Sequence, residues 1–334
     1  MSRIALRSPY FFTHTIGGAS GALSAKLTIT IDTVLRYTLI KSVTAGTPTV
    51  FEVSELCRDY LTVNYDGSPT AGDTEIDIDL VMTFWTGANA SGSLITTISD
   101  TGNQGFDAYG YFSEGANWEP PYPLSFSASW LIAPKAGTNT EWEIFAPEGQ
   151  GGYVPYMLSG VIGYSRYFAA DLNLTIGVSA ICTINRIPCS KYGDGERITF
   201  INKYGQFQEL WFSLKKVLTT STTKEEYQGI NLTSSGSSTS YDISVPTKVV
   251  YNKKATEKIT LNSGYYPEAY NAVFEQLLES EQIWIKTLNK VGTTEYLPVN
   301  VITSSFTKKT KLNDKLIDYT IEFAEAYDKI NNVR

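Results

Sequence analysis

The segment PEAYNAVFEQLLES, residues 267–280, and the three apolar runs after it decide the fold of the C-terminal part of the chain. Its apolar residues recur at three- and four-residue spacing, which predicts a helix near 267–279 with one buried face. Pro267 suits a first helical position, where a missing N–H costs nothing. The apolar positions are Ala269, Tyr270, Val273, Phe274, Leu277 and Leu278.

The three runs after the helix alternate apolar and polar residues, which predicts the strands of an antiparallel meander. They contain Ile283 and Ile285, then Leu297, Val299 and Val301, and finally Ile317, Tyr319, Ile321 and Phe323. A helix with one apolar face needs a flat partner, so we expect it to pack on this meander. The unit contains no credible catalytic group, which favours a role in assembly.

Length and composition predict a mainly β protein of two domains. The 334 residues suffice for two cores, Thr, Ser, Val and Ile dominate, and 22 Tyr, 15 Phe and 6 Trp add further strand-favouring residues. We expect two β-sandwich-like domains with short helices, an N-terminal β-rich domain at 1–190 and a C-terminal β domain at 191–334. The boundary is placed at the turn-rich segment CSKYGDGER, residues 189–197.

The charge of the chain argues against nucleic acid as a direct partner. The formal net charge is −7, whereas phosphate binding needs a local excess of Lys and Arg. One basic cluster lies in a predicted hairpin, where lysines commonly protect an edge strand from unwanted pairing. Its residues are Lys308, Lys309, Lys311 and Lys315. No run approaches the eighteen apolar residues of a membrane span and no signal peptide pattern opens the chain, so we expect synthesis in the cytoplasm.

Cysteine and histidine usage predicts no cofactor and no structural metal. Cys57, Cys182 and Cys189 are an odd number in a long chain, which does not suggest a disulfide framework. Their spacing lacks the CxxC pairs of a zinc site, and the single histidine, His14, cannot complete a ligand set. We expect three small buried residues.

The N-terminal part shows several local signals. KLTITID and LRYTLI, within residues 26–40, predict a hairpin across an Asp32-Thr33 turn. Ser54 is placed as the cap of a short helix, and EIDIDLVMTFWT, residues 75–86, reads as a strand that moves toward a sheet centre. Further strands are predicted at 124–132, 141–146, 153–158 and 172–184.

Two polar stretches are predicted as loops. The first runs from Asn89 to Pro123 and is rich in Gly, Asn and Ser, yet it contains Phe106, Tyr109, Tyr111, Phe112, Trp118 and Tyr122. Aromatic residues in polar sequence can cover their own core, contact a neighbouring subunit or stack on sugars, and the sequence leaves these three uses open. The second stretch, TSSGSSTS at 233–240, predicts a mobile loop.

Six phrases occur along the chain in the order IALRSPYF (4–11), RYTLIK (36–41), VFEVSELCRDYL (50–61), ITFINKYGQFQELWF (198–212), LPVNVITSSFTKKTK (297–311) and LIDYTIEFAEAY (316–327). In these phrases the chain resembles virion structural proteins, tail- or baseplate-associated, of phages infecting Bacteroidetes bacteria. The resemblance implies a two-part, β-rich, non-enzymatic protein that assembles with itself into a symmetric ring or hub, as distal-tail proteins do. It implies a place in the virion beside other virion proteins, with assembly in the host cytoplasm, and no catalytic residue carries over.

The predicted subunit contacts fall on three segments. They are the N-terminal arm with Arg7, Pro9, Tyr10 and Phe11, the aromatic residues Phe106, Tyr109, Tyr111 and Trp118, and the lysines Lys308, Lys309 and Lys311. Truncation or charge reversal there is expected to disturb assembly and to leave the fold of the monomer intact.

Three alternatives stay open: a capsid or head protein, a tail-associated carbohydrate-binding protein, and a glycan depolymerase, the last two with a host surface glycan as partner. A depolymerase needs two carboxylates, and Glu141 and Glu143 flank Trp142 on one predicted strand, sharing a face. Alternating Glu residues are also the usual solvated face of a strand. The sequence does not exclude sugar stacking on Trp118 or Trp142.

An acidic run offers one possible calcium site. Asp77 and Asp79 are expected to face one side of a strand, and Asp73 or Glu75 would complete the oxygen ligands. The run lacks the ligand order of an EF-hand, so a solvated strand face stays open as well.

Overall fold

The computed structural model describes residues 2–18, 20–70, 72–120, 141–158, 161–169, 173–176, 180–187, 195–288, 292–305, 307–310 and 315–330. The described part is 55% strand and 8% helix, which confirms the mainly β prediction. The predicted strand at 124–132 lies outside the described residues, as do Tyr122, Cys189 and Lys311. None of the helices in the described part is long and apolar enough to cross a membrane.

The first part of the chain forms two sheets and one short helix. Its elements are β1 (Arg3–Ala5), β2 (Phe11–Thr15), β3 (Ser24–Ile31), β4 (Val34–Ser42), β5 (Pro48–Glu52), α1 (Ser54–Arg58), β6 (Glu75–Trp85) and β7 (Leu94–Phe106). Five strands make a sheet of order β1-β7-β6-β3-β4, and β2 pairs with β5. Two 3₁₀ turns, Ala88–Ala90 and Phe112–Glu114, flank β7.

The core of this part lies between the five-stranded sheet and the β2–β5 pair with α1. Alternate side chains of β3 and β6 point inward because a strand turns every second residue to the same face. The buried set includes Ile4, Leu27, Ile29, Ile31, Phe51, Val53, Cys57, Ile78, Leu80, Met82 and Phe84. β4 closes one edge of the sheet and is mostly exposed.

The predicted hairpin at 26–40 is confirmed. Asp32 and Thr33 form the two-residue turn with φ of 48° and 67°, the left-handed backbone that type I′ hairpin turns require. Thr33 is β-branched, so its left-handed backbone is strained. Ser54 does not cap α1, since its hydroxyl donates to the Glu52 carboxylate.

The predicted loop from Asn89 to Pro123 contains a long strand, β7, so this prediction is wrong over Leu94–Phe106. In the run that suggested a loop, Ser99, Thr101 and Gly102 are exposed and Asn103 is buried. A register shift opposite Asp79 places Gly102 at φ +70°, and the Asp79 carboxylate accepts a bond of 2.7 Å from the Gly102 N–H. A glycine at a β-bulge thus has the sequence signature of a turn.

A middle group of strands forms two small sheets. The strands are β8 (Glu141–Pro147), β9 (Gly151–Leu158), β10 (Val161–Phe168), β11 (Asn173–Ile176) and β12 (Ala180–Ile187). One sheet has the order β11-β12-β8, and β9 pairs with β10. The predicted strands at 141–146 and 153–158 are therefore confirmed, and the run at 172–184 divides into two strands.

The rest of the chain forms a seven-stranded antiparallel sheet with one helix. The elements are β13 (Glu196–Ile201), β14 (Phe207–Phe212), β15 (Lys216–Gln228), β16 (Leu232–Ser235), β17 (Ser238–Tyr241), β18 (Lys248–Asn262), β19 (Tyr266–Pro267), α2 (Asn271–Glu279), β20 (Ile283–Leu288), β21 (Thr294–Val301), β22 (Leu316–Ile317) and β23 (Thr320–Glu325). The sheet order is β14-β13-β20-β21-β23-β18-β15. Two pairs, β16–β17 and β19–β22, lie apart from it.

The predicted helix on a meander is confirmed, with a later start. Pro267 is extended and pairs with Leu316, and a 3₁₀ turn at Glu268–Tyr270 precedes α2. Strands β20, β21 and β23 are neighbours in the sheet, as the meander requires. The shared core includes Phe200, Phe212, Leu261, Tyr270, Val273, Phe274, Leu277, Ile285, Val299, Ile321 and Phe323.

The middle strands pack against the seven-stranded sheet. Trp211 of β14 belongs to the buried cluster of Trp142 and Tyr167. The ring centroid of Phe145 lies 5.4 Å from that of Tyr266 and 5.4 Å from that of Tyr270. The boundary near residue 190 stays a prediction, and this packing crosses it.

Candidate assembly surface

Strands β15 and β18 extend beyond the seven-stranded sheet as a two-stranded ribbon. β18 pairs with β23 only from Lys258 to Asn262, whereas its pairing with β15 runs from Lys248 to Leu261. The hairpin of β16 and β17 lies at the far end of the ribbon. We call residues 223–254 the arm, because its first and last residues, Thr223 and Lys254, are paired across the ribbon.

The arm exposes many large apolar side chains. Ile243 is 98% exposed and Ile230 is 87% exposed. The full set is Tyr227, Ile230, Leu232, Tyr241, Ile243, Val245, Val250 and Tyr251. The lowest exposed fraction in this set is 46%, for Val250. Exposed apolar side chains that gather on one element mark an interaction site more often than scattered single residues do.

Local sequence explains why the arm is a ribbon. Lys216–Gln228 and Lys248–Asn262 are rich in Thr, Val, Lys and Glu, and Lys216–Gln228 is exposed at nearly every position. The β-branched residues favour strands and the charged residues favour contact with water on both faces. Gly236 begins the two-residue turn between β16 and β17 with φ of +65°. The side-chain amide of Asn231 donates to the carbonyl oxygens of Asp242 and Val245 and fixes the tip. The loop predicted at 233–240 is therefore wrong, since a hairpin occupies it.

Arg7 contacts the C-terminal half of its own chain. Its Nη2 donates to the carbonyl oxygen of Glu279 at 3.1 Å and lies 3.3 Å from a carboxylate oxygen of Glu281. Its guanidinium carbon lies 4.7 Å from the ring centroid of Tyr109. Arg58 pairs with the same Glu281 carboxylate. This predicted contact residue thus joins two parts of one chain.

The neighbours of Arg7 in the N-terminal segment are also held by the chain itself. Tyr10 is buried in the core of the five-stranded sheet. The Phe11 N–H donates to the side chain of Asn117 at 2.6 Å, and the Pro9 carbonyl accepts from the Asn117 N–H. Of these three residues only Pro9 has an exposed side chain.

The predicted aromatic contact residues pack mainly within the chain. Phe106 is fully buried. The hydroxyls of Tyr109 and Tyr111 donate to one carboxylate oxygen of Glu279, at 2.7 and 3.0 Å. Burial, then this carboxylate, raises the pKa of both tyrosines. The Trp118 ring stacks on Tyr204 at 6.3 Å between centroids.

The lysines at 308 and 309 also have partners within the chain. Lys308 Nζ lies 2.7 Å from a carboxylate oxygen of Glu275 on α2, and Lys309 Nζ lies 2.6 Å from Asp318 Oδ1. The described residues around them, 302–305 and 307–310, form no strand. The structure thus brings the three predicted segments against this chain's own elements, and the arm was missed.

A buried ion pair connects the middle strands to the large sheet. Arg197 Nη1 lies 3.1 Å from Glu209 Oε1. The Tyr167 hydroxyl and the Tyr153 N–H donate to Glu209 Oε2 at 3.1 and 3.2 Å. The Tyr65 hydroxyl donates to Glu209 Oε1 at 3.5 Å. Burial raises the pKa of the Glu209 carboxyl against the opposing charge of Arg197.

Of the two candidate catalytic carboxylates, only that of Glu143 belongs to a described side chain. Glu143 is half-buried, and its carbonyl oxygen accepts a hydrogen bond from the Tyr270 hydroxyl. Trp142 is buried rather than presented as a platform. Nothing is described of the Glu141 side chain. The ring of His14 packs 5.6 Å from that of Phe84. For Trp142, Glu143 and His14 this geometry favours structural roles.

The acidic strand supplies no metal site within the described residues, where no three His, Cys, Asp or Glu side chains gather to hold an ion. Asp79 is engaged by the Gly102 N–H, and the Asp77 N–H donates to the Asp32 carboxylate at 3.0 Å. Cys57 and Cys182 are free and buried, and burial raises the pKa of each thiol to about 12. Such thiols are poor nucleophiles and poor ligands.

The arm is therefore the feature of the described chain that most needs a partner. A two-stranded ribbon is marginally stable alone in water, and this one also exposes its apolar residues. Comparison with known proteins adds no assignment: no family model matches the chain, and no curated protein matches it.

Proposed function

We propose that this chain is a non-enzymatic structural subunit of a bacteriophage particle, a tail, hub or connector protein that assembles with itself into a symmetric oligomer. The observation that carries the proposal is the arm at 223–254, with its eight exposed apolar side chains. A single copy leaves these eight side chains in water, whereas a subunit contact would bury them. Other virion proteins are its further partners.

The mainly β fold and the internal packing support the same proposal. The buried Arg197–Glu209 pair and the Arg7 contacts hold separate parts of this chain together, which suits a subunit that presents one projecting contact element. The capsid alternative shares these features. The sugar-binding and depolymerase alternatives have less support, since Trp118 stacks on Tyr204 and Trp142 is buried.

Light scattering on the purified chain over a hundredfold concentration range tests the proposal. We expect a mass that is a defined multiple of 36.9 kDa, and closed rings in negative-stain electron micrographs. A variant with Ile230→Asp and Ile243→Asp should have the mass of a monomer. Its circular dichroism spectrum should equal that of the wild type, because both side chains are exposed. A wild-type monomer at every concentration would overturn self-assembly.

A further inference from the structure

The ribbon of β15 and β18 has two outer edges without a partner strand in the described part of the chain. β15 pairs only with β18, so its outer edge is open over residues 220–228. β18 pairs with β23 only from Lys258 to Asn262, so its outer edge is open over residues 248–254. Alternate residues of an antiparallel strand direct their backbone N–H and C=O groups to opposite sides. Each open edge is therefore a template for one further strand.

The two open edges have opposite net charges. Residues 220–228 have a net charge of −1, from Lys224, Glu225 and Glu226. Residues 248–254 have a net charge of +3, from Lys248, Lys253 and Lys254. These charges belong to the strands that would make the contact. Two copies of the same edge would bring like charges together, whereas one edge against the other brings opposite charges together.

The directions of the two strands suit a contact between different edges. β15 and β18 are antiparallel within one ribbon. A rotation about an axis along the strands keeps the direction of every strand, so β15 of one copy lies antiparallel to β18 of the next. Repetition of this contact adds two strands per copy to one antiparallel sheet. Such a heterologous contact closes into a ring when the rotations complete one full turn, and the closed sheet has no open edge.

We propose that residues 220–228 of β15 in one copy pair with residues 248–254 of β18 in the next copy. This inference rests on the self-assembly proposed above and names the two edges that make the contact. Backbone hydrogen bonds between the strands supply affinity, and the opposite charges decide which edges meet. Tyr227 on β15 and Tyr251 on β18, each more than half exposed in a single copy, gain cross-strand neighbours in this contact.

Two variants each reverse the charge of one edge. The β15 variant has Glu225→Lys and Glu226→Lys, which changes the net charge of its edge from −1 to +3. The β18 variant has Lys248→Glu and Lys253→Glu, which changes the net charge of its edge from +3 to −1. All four side chains are exposed, so each variant should keep the circular dichroism spectrum of the wild type.

A third variant with all four substitutions exchanges the two charges and keeps them opposite. The control has Glu55→Lys and Asp59→Lys, two exposed residues outside the arm. It changes the net charge of the chain by the same amount as the β15 variant does. Any general effect of charge on association would therefore occur in the control as well.

Light scattering at low salt, where charges are least screened, gives the readout. We expect the β15 variant and the β18 variant each to have the mass of a monomer, 36.9 kDa, because like charges then face each other. The variant with four substitutions and the control should assemble as the wild type does. An equimolar mixture of the two single-edge variants should also assemble, because an edge of +3 then faces an edge of −1 at every contact.

Three results would overturn this pairing and leave self-assembly intact. They are single-edge variants that assemble alone as the wild type does, a variant with four substitutions that stays monomeric, and a control that loses assembly. A ribbon that had merely come apart in a single-edge variant would not regain assembly in the mixture. A wild-type chain that is monomeric at every concentration would instead refute the proposed function itself.

Discussion

Arg197 and Glu209 form a salt bridge with 3.1 Å between Nη1 and Oε1, and each side chain is only 4% exposed. Arg197 also donates to the Gly151 carbonyl oxygen at 3.0 Å and to the Tyr296 hydroxyl at 2.6 Å. The pair therefore lies where β9, β13, β14 and β21 meet. Charges this deeply buried are stable only while each keeps its partner.

Removal of one partner should destabilise the whole fold. We expect Arg197→Met to lower the free energy of unfolding by about 3–5 kcal/mol, because it leaves the Glu209 carboxylate buried and uncompensated. Urea unfolding followed by fluorescence measures this change. Lys224→Met, which removes a partner of Glu226 on the exposed arm, is the matched control and should have no measurable effect. A loss below about 1 kcal/mol for Arg197→Met would contradict a compensated buried charge.

A substitution in the Asp32-Thr33 turn should raise the stability of the fold. Thr33 is a β-branched residue at φ of 67°, so Thr33→Gly relieves backbone strain and should raise the unfolding free energy by about 1 kcal/mol. Differential scanning calorimetry checks the expected rise in melting temperature. Thr38→Gly, in the strand β4 of the same hairpin, should lower it, because glycine weakens a strand interior. A fall for both variants would mean that the turn carries no strain.

The two described cysteines should be unreactive in the folded protein. In a Cys189→Ser background we expect Cys57 and Cys182 to resist a disulfide reagent at pH 8 and to react fully in guanidinium chloride. Their folded-state pKa of about 12 lies above the ordinary 9.0, so the stability gained by keeping them neutral is present below pH 9 and is lost toward pH 12. Fast native labelling of either thiol would show that its site opens readily.

Arg7 should matter for stability and not for assembly. Arg7→Met removes a bond to the Glu279 carbonyl, an ion pair with Glu281 and a stack on Tyr109, and should cost about 1–3 kcal/mol. Arg166→Met, at an exposed arginine, is the control. Urea unfolding and light scattering are measured together. A smaller oligomer at unchanged stability would instead place Arg7 in a subunit contact, as its sequence context predicted.

Local patterns in the sequence predicted the elements that depend on local physics. One buried face of α2 is visible in the sequence from the spacing of Val273, Phe274 and Leu277. One buried face of β3 is visible from the alternation of Leu27, Ile29 and Ile31. These signals need only neighbours within a few residues.

Two elements were not predicted, because polar residues occur on exposed strands as well as in loops. In β7 the run SDTGNQG has the composition of a loop, yet it is a strand in which Ser99 and Thr101 face water, Asn103 is buried and Gly102 accommodates a bulge. In the arm, TSSGSSTS has the composition of a linker but forms a hairpin. The signal that could have found the arm is the strand-favouring Thr and Val content of the two long segments Lys216–Gln228 and Lys248–Asn262.

Local sequence could not predict that the expected contact residues would bind partners within their own chain. Tyr109 and Glu279 lie 170 residues apart in sequence, and Arg7 and Glu279 lie 272 apart. An aromatic side chain in polar sequence looks the same whether its partner belongs to the same chain or to another. Only the folded arrangement separates the two cases.

β1 is synthesised before β7 but can pair in the sheet only after β7 has been synthesised, because the two strands are parallel neighbours. Ile4 pairs with Gly105 and Ala5 with Phe106, so β1 has no strand to join until residue 106 leaves the ribosome. At about 5–20 residues per second, this delay is roughly 5–20 s. During that time Ile4 and Leu6, later buried, are exposed to chaperones and proteases. The first strand of the five-stranded sheet to be synthesised is therefore among the last to be protected.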